Sequence, residues 1–445
     1  MTERGPVKRS LGAGYWKLWS ASVITNLGDG MGAIAYPWLA SAVTRDPVQI
    51  ALIGVATRLP WLLFSLPAGV ITDRVDRRRL IAVMDWFRAA LTLAVAVAVL
   101  LGQSVIPDPI EVAAGTADPP EVAGLYLALL YISALLLGSA EVLRDNAAQT
   151  LMPALVSTED LEKANGRLWG AEMVSNSFVG TPVGGILAGI ALSLPFFIDA
   201  GSFAVAAGLV FAIGGSFRAV GTEARAGMRA ELAEGLRWLW RHVLLRNLAV
   251  FLGLANALST MAFATYVLFA QENLGLDAGG FGVVMTGLAV GGVAGSLAAA
   301  RLSRLLGPGA SLFLSLGGSA LGYVLVAVTN QPWVVWLMMA ATTFLAMVWN
   351  VITVSLRQTI IPDRLLGRVN SVYRFFGWGM MPLGGAAGGA VVWLAEMSGW
   401  SRDSALRAPF WVAAGGYALL FLAALPRLGS DKIERARQDA ASQPN

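Results

Sequence analysis

From Leu305 to Leu356 the chain carries no charged side chain. A helix needs about 20 apolar residues to cross the hydrocarbon core of a bilayer, so this run is too long for one crossing, and Asn330-Gln331-Pro332 supplies its turn. Inside lipid every backbone polar group must be bonded within the protein, and long apolar segments answer that demand as helices. Composition extends the inference to the rest of the chain. Apolar residues make up 56% and charged residues 13%, against about 25% charged in a soluble domain. The fold class is therefore an all-α membrane protein. Cysteine is absent, which excludes disulfides, thiolate chemistry and cysteine metal sites. The single histidine, His242, lies in a charged segment read as outside the membrane, so no buried histidine relays protons. No metal site and no cofactor are expected.

Cutting the chain at its charged stretches gives twelve spans: 18–41, 48–72, 80–102, 122–143, 167–191, 195–217, 247–271, 278–300, 310–330, 333–356, 370–396 and 409–426. The apolar run after the basic N-terminus continues past Ala40 without a small-residue cleavage site, which reads as a retained first span. All but four of the 32 Lys and Arg residues (Arg45, Arg58, Arg402 and Arg407) fall on the side of the N-terminus. By the positive-inside rule both termini are cytoplasmic. The loop from Gly102 to Glu121 holds four acids and no base, as an external loop would. The basic excess sets topology, and no nucleic-acid partner is needed to explain it.

The chain divides into a six-helix bundle over 1–216, a linker rich in Arg and Glu over 217–246, a second six-helix bundle over 247–427 and a tail over 428–445. The halves echo each other in residues. Gln149-Thr150 with Pro153 recurs as Gln358-Thr359 with Pro362; Asn165 and Asn370 follow; Pro182 to Gly185 recurs as Pro382 to Gly385; and Asn26 with Tyr36 recurs as Asn256 with Tyr266. Such parallel repeats are the mark of transporters whose two bundles rock about a central site.

A charge within a membrane costs about 2.5–3.5 kcal/mol on insertion scales, so each embedded ionisable residue is a candidate. They concentrate in the first half: Asp29, Arg58, Asp85, Arg88 and Glu172. At helical spacing Ser22, Asn26, Asp29, Ala33 and Tyr36 share one face of the first span. Arg58 should lie at a similar depth, and an Asp29–Arg58 pair would keep Asp29 ionised until disturbed. Whether that pair carries protons or only ties two helices together stays open. Glu172, in line with Asn165, Trp169 and Asn176, is a second proton site, a hook for cations, or a surface-seeking acid paired with Arg88 or Arg167. Of the 15 tryptophans most fall near span ends, where an interfacial belt accounts for them. Trp61, Trp349 and Trp378 fall deeper and, with Asn256, Tyr36 and Tyr266, are candidates to line a cavity; lipid-facing or packing roles are the alternative.

Between the second and third spans, Asp73 to Arg79 places six charges in seven positions. With Gly69 ahead of it, this loop resembles the signature between helices 2 and 3 of the major facilitator superfamily, and the resemblance covers essentially the whole chain. It implies twelve transmembrane helices in two pseudo-symmetric bundles. It also implies a cytoplasmic gate in which Asp73 caps a helix of the second half, Arg74, Arg77 and Arg78 pair with Glu141 and Asp145, and Gly69 permits close packing. Asp76 stands where that family usually has Gly. The stretch from Glu141 through Asp145 to Gly166, the run from Phe178 to Gly185 and Asn26 to Asp29 are similar to the bacterial macrolide-efflux and enterobactin-exporter branch. Gly180, Pro182, Gly184 and Gly185 resemble the packing motif of helix 5 in proton-coupled antiporters.

The expectation that follows is a bacterial inner-membrane exporter of amphipathic small molecules such as drugs, secondary metabolites or siderophores. It works as a monomer by alternating access with proton antiport, its partners being substrate, protons and the bilayer. The rivals are an importer or facilitator of a polar metabolite, and a non-transporting membrane scaffold or sensor. No phosphate loop, metal-ligand helix or nucleophile elbow suggests an enzyme.

Overall fold

The structure is a computed structural model describing residues 11–218 and 228–441, apart from the side chains of a few of these, Asp73 among them. Its helices are α1 (Gly12–Val43), α2 (Pro47–Arg74), α3 (Arg77–Leu101), α4 (Ala123–Leu155), α5 (Leu161–Met173, Val174–Gly180 and Thr181–Ile190), α6 (Leu194–Phe211), α7 (Val243–Phe263 and Tyr266–Glu272), α8 (Ala278–Leu306), α9 (Pro308–Val328), α10 (Pro332–Ile360), α11 (Asp363–Met397) and α12 (Arg402–Ala424). Shorter helices are Pro109–Ala113 in the α3–α4 loop, Met228–Arg241 in the linker and Ser430–Ala441 in the tail.

Among the described residues, eleven helices are long and apolar enough to span a membrane. The exception to the expected twelve is α1. Its 32 residues are length enough, but glycines, hydroxyl residues, Asn26 and Asp29 dilute its apolar content. It packs against α4, α5 and α6 all the same, and it is the helix that brings polar groups inside. The outer surface is apolar: Leu101, Leu125, Leu297 and Leu419 are each more than two-thirds exposed, a surface that lipid covers at little cost and water does not.

Without a hydrophobic drive between helices, membrane bundles close on small residues. A Cβ on Gly184 would sit 2.6 Å from Met31 Cα, and one on Gly180 2.7 Å from the Leu27 carbonyl, so α5 lies directly on α1. The second half repeats the device, with Gly384 on Ala257 and Gly388 on Met261 between α11 and α7. The neighbouring glycines reach across. Gly185 meets Ala278 of α8, and Gly389 meets Pro47 and Val48 of α2.

The two repeats differ at the proline. Ahead of Pro182, α5 widens into a π turn over Val174–Gly180, whereas α11 runs through Pro382 as one α-helix. Proline removes an N–H and crowds the carbonyl four residues back, and a π turn is one way to absorb that. In α5 the widened turn is anchored from its side chains: Ser175 Oγ donates to the Val23 carbonyl at 2.7 Å and Asn176 Nδ2 to the Asn26 carbonyl at 3.2 Å. The linker helix lies on α11, with Glu234 paired to Arg368 and Gly235 against the Arg368 backbone.

Candidate functional site

The first half holds a chain of charges that starts on α1. Asp29, about 30% exposed, is paired with Arg88 of α3. Arg88 is buried, lies 3.9 Å from the Asp85 carboxylate and stacks over the Phe203 ring at 3.9 Å. Asp85 is fully buried and also faces Arg144 of α4 at 3.6 Å. Arg144 in turn reaches Asp145 at 3.0 Å, Ser22 Oγ at 3.0 Å and Thr25 Oγ1 at 3.2 Å. Asp85 is thus a counter-charge shared by two arginines, and neither of its oxygens has a well-aligned hydrogen bond among the described residues. Buried charges persist only when paired. Here the pairing runs through three helices and ends at two partly open carboxylates, Asp29 on α1 and Asp145 on α4.

Two readings of the sequence are corrected by this geometry. Asp29 is paired by Arg88 of α3 and not by Arg58, whose side chain lines a cavity shared with the second half. Asp145 turns to Arg144, while Arg77 donates to the Thr150 carbonyl at 3.1 Å and Arg78 to the Ile213 carbonyl at 2.5 Å. Glu141 lies deeper, in charge–charge range of Asp29, Arg88 and Arg58. The pairing of Arg74, Arg77 and Arg78 with Glu141 and Asp145 is therefore not what this conformation contains. The side chain of Asp73 lies outside the described residues, and Gly69 has open space around it. Asp76 caps α3 through Arg79 N at 3.0 Å and binds Phe217 N at 2.8 Å and Ser216 Oγ at 3.2 Å, clamping the chain after α6 to the α2–α3 turn.

Glu172 is half-buried and feels Arg144, Asp145 and Asp29, which places it beside the network and not at the surface. Asn26 spends its amide on the Ser22 carbonyl at 2.9 Å. Tyr36 is engaged in packing within the first half: its hydroxyl donates to Ser133 Oγ at 3.1 Å and its ring packs edge-on against Phe196. Tyr266 is likewise engaged in packing. The break in α7 after Phe263 turns it into an aromatic cluster with Phe263, Phe269 and Phe281.

Trp61, Asn256, Trp349 and Trp378 do come together, with Arg58, around a cavity of about 380 Å³ between the halves. Trp61 and Trp378 meet edge to face at 5.2 Å across it.

Two groups escaped the sequence reading. Arg144 seemed to lie beyond the end of the fourth span, but α4 continues to Leu155. Asp199 of α6 is buried, bonded to Ser202 Oγ at 3.3 Å, and fits beside α1 because Gly28 has no side chain. An acid one turn past Pro195 was the available signal.

A second cluster closes one end of the molecule. Arg45, in the α1–α2 connection, pairs with Glu272 and bonds Gln271 at 2.6 Å; Arg402 holds Glu272 at 2.9 Å, Glu396 and the Arg45 carbonyl at 2.9 Å; and Gln271 donates to Ser41 Oγ at 2.8 Å. This cluster joins the two halves by hydrogen bonds and ion pairs at the end away from the α2–α3 turn.

Comparison with known proteins places this geometry. The sequence profile of the Major Facilitator Superfamily matches residues 18–385. The chain is 25% identical over 401 residues to the multidrug efflux pump Tap of Mycolicibacterium fortuitum, covering 86% of this chain and 88% of that protein. It is 25% identical over 426 residues to the enterobactin exporter EntS of Shigella boydii, covering 94% and 92%. In fold it is similar to a bacterial homologue of the iron transporter ferroportin in its inward-facing state, with a TM-score of 0.70 at 16% identity over 95% of this chain and 100% of that one.

Proposed function

The chain belongs to the major facilitator superfamily and is a secondary transporter, and from that premise we propose that it exports amphipathic small molecules by alternating access driven by proton antiport at Asp29. The observation that carries this reading is the Asp29–Arg88 pair. Asp29 and Asp145 are the part-exposed acids of the network, and Asp29 is the one carried on α1, next to the contact of α1 with α5, so a proton that reaches it acts beside that contact. Protonating Asp29 removes its charge, leaves Arg88 to Asp85 and Glu141 and changes which packing of the network is favoured. The residue directly after Asp29 is a close contact: Gly30 lies against Asn176 and Gly180 of α5, and α5 through Thr181 and Gly185 lies against α8 of the other half. A shift at Asp29 is thereby one helix away from the interface between the bundles.

The positive-inside rule assigns both termini to the cytoplasm. On that assignment the closed Arg45–Glu272–Arg402 cluster is external, and the conformation described here faces inward. Efflux rather than uptake is the reading because the relatives spanning most of the chain are an efflux pump and an exporter, and because the cavity walls of the second half are mostly apolar and aromatic, with uncharged Asn256, Asn350, Ser315 and Ser319 between. The direct test is substrate flux in proteoliposomes with an imposed pH gradient. Asp29→Asn should lose pH-driven flux by about tenfold or more, the share expected of a single essential proton carrier. Unchanged pH-driven flux in that variant removes Asp29 from the mechanism.

A further inference from the structure

Pairing Asp29 with Arg88 leaves Arg58 over. It is exposed, lines the cavity, and has no hydrogen bond or ion pair with any described residue, Glu141 acting on it only at longer charge–charge range. Arg374 of α11 is not among the cavity's lining residues but is also exposed: it stands over the Trp378 ring at 5.0 Å and has no acid within ion-pair distance among the described residues. Two guanidiniums, one from each half, thus flank the Trp61–Trp378 pair. No Asp or Glu lines the cavity. Trp349, also in its wall, is buried with its indole N–H unpaired among the described residues. The cavity therefore carries positive charge with no facing carboxylate among the described residues, its other polar groups besides the indoles being the neutral Asn256, Asn350, Ser315, Ser319 and Tyr417.

An unpaired charge within the membrane is costly and marks a site that a ligand completes. Tryptophan faces alone would also attract a cation. Here that use is opposed, because Arg374 already stands on Trp378 and Arg58 repels a second positive group. We propose that the cavity selects amphipathic substrates carrying one anionic group, a carboxylate, sulfonate or phenolate, held by Arg58 with an aromatic body against Trp61 and Trp378. Lipophilic cations are poor ligands of this site. The inference rests on the export reading above and narrows its substrate class.

The test is binding to the full-length protein in phosphatidylcholine nanodiscs, by thermophoresis, of 4-(1-naphthyl)butyrate, its primary amide and the matching naphthyl trimethylammonium. The acid should bind about tenfold tighter than the amide, the gain typical of a charge-assisted hydrogen bond, and the ammonium most weakly. Arg58→Gln should erase the acid-over-amide gap while keeping amide binding, which also shows the variant folded; Arg58→Lys should recover most of it, and Arg374→Gln should lose part. Ammonium binding as tight as the acid, or an intact gap in Arg58→Gln, overturns the proposal. So does a site that ignores the naphthyl acid and is filled only by phosphatidylglycerol, since that identifies a lipid headgroup. Binding needs no turnover, so failure of pH-driven export leaves this result standing; export without any anion preference removes this inference and spares the other.

Discussion

The two halves share a packing plan and differ in what it encloses. In each, a Pro-x-Gly-Gly run lays one long helix on the first helix of its own bundle and sends a neighbouring glycine to the opposite bundle. Yet the first half buries Asp85, Arg88 and Arg144 in a linked network, while among the described residues the second answers with a single buried arginine, Arg357, bonded to Asn370 and stacked on Tyr373 at 3.9 Å. The helix bearing the motif follows the same division. Ser175 and Asn176 tie the π turn of α5 to α1, where the matching stretch of α11 carries Phe375 and Phe376 and stays regular. Glycine spacing sets how the halves meet; polar side chains decide which half responds to charge.

The largest effect should separate the halves most sharply. Arg144→Ala leaves Asp85 and Asp145 short of a partner in the interior and should cost about 3–5 kcal/mol, whereas Arg357→Ala, whose partners are neutral, should cost about 1–2 kcal/mol. Thermal unfolding in one detergent checks both, and equal losses would break the contrast. Next in size, Gly184→Leu and Gly384→Leu should cost about 1–3 kcal/mol each, because both overfill a backbone contact; a loss confined to one half would show that the shared packing plan is not shared in energy.

A smaller effect belongs to the closed end. Glu272→Gln removes the acid between Arg45 and Arg402 and should favour opening there, by about fivefold in population. The chain has no native cysteine, so maleimide labelling of Ser41→Cys reports it directly; unchanged labelling would mean the cluster is not what holds the halves together. The smallest concerns Asp76. Burial alone would raise its carboxyl, but the N–H groups of Arg79 and Phe217, the Ser216 hydroxyl and the Arg78 charge outweigh that and hold it below the usual carboxylate range. Its contribution is complete above the ordinary range and is lost as pH falls through the depressed folded value. Asp76→Asn should therefore cost about 1 kcal/mol at neutral pH, and the gap from wild type should close in acid; a gap that persists in acid would deny the clamp its charge.

Much of the site was legible as a list of residues and little of it as a set of partners. Asp29 stood out because an acid amid apolar residues has few explanations, and Trp61, Trp349 and Trp378 because indoles far from span ends are not interfacial. Arg144 was missed because hydropathy treats a charge as the end of a span, although Ser22, Thr25 and Asp85 let α4 carry it inside. Tyr266 was misplaced because ten residues of helical spacing assume an unbroken helix, and α7 breaks after Phe263.

The sequence by itself determined a helical membrane protein of two similar halves, because apolar length and backbone hydrogen bonding leave no other form in lipid. Its glycine and proline runs also marked where helices approach. Only the tertiary structure decided that Arg88 holds Asp29 and that Arg58 is left facing the cavity. Depth along a span can be counted from residues, but which side chains meet depends on how each helix is rotated and set against its neighbours, and that is fixed by contacts such as Gly184 on Met31 between residues far apart in the chain.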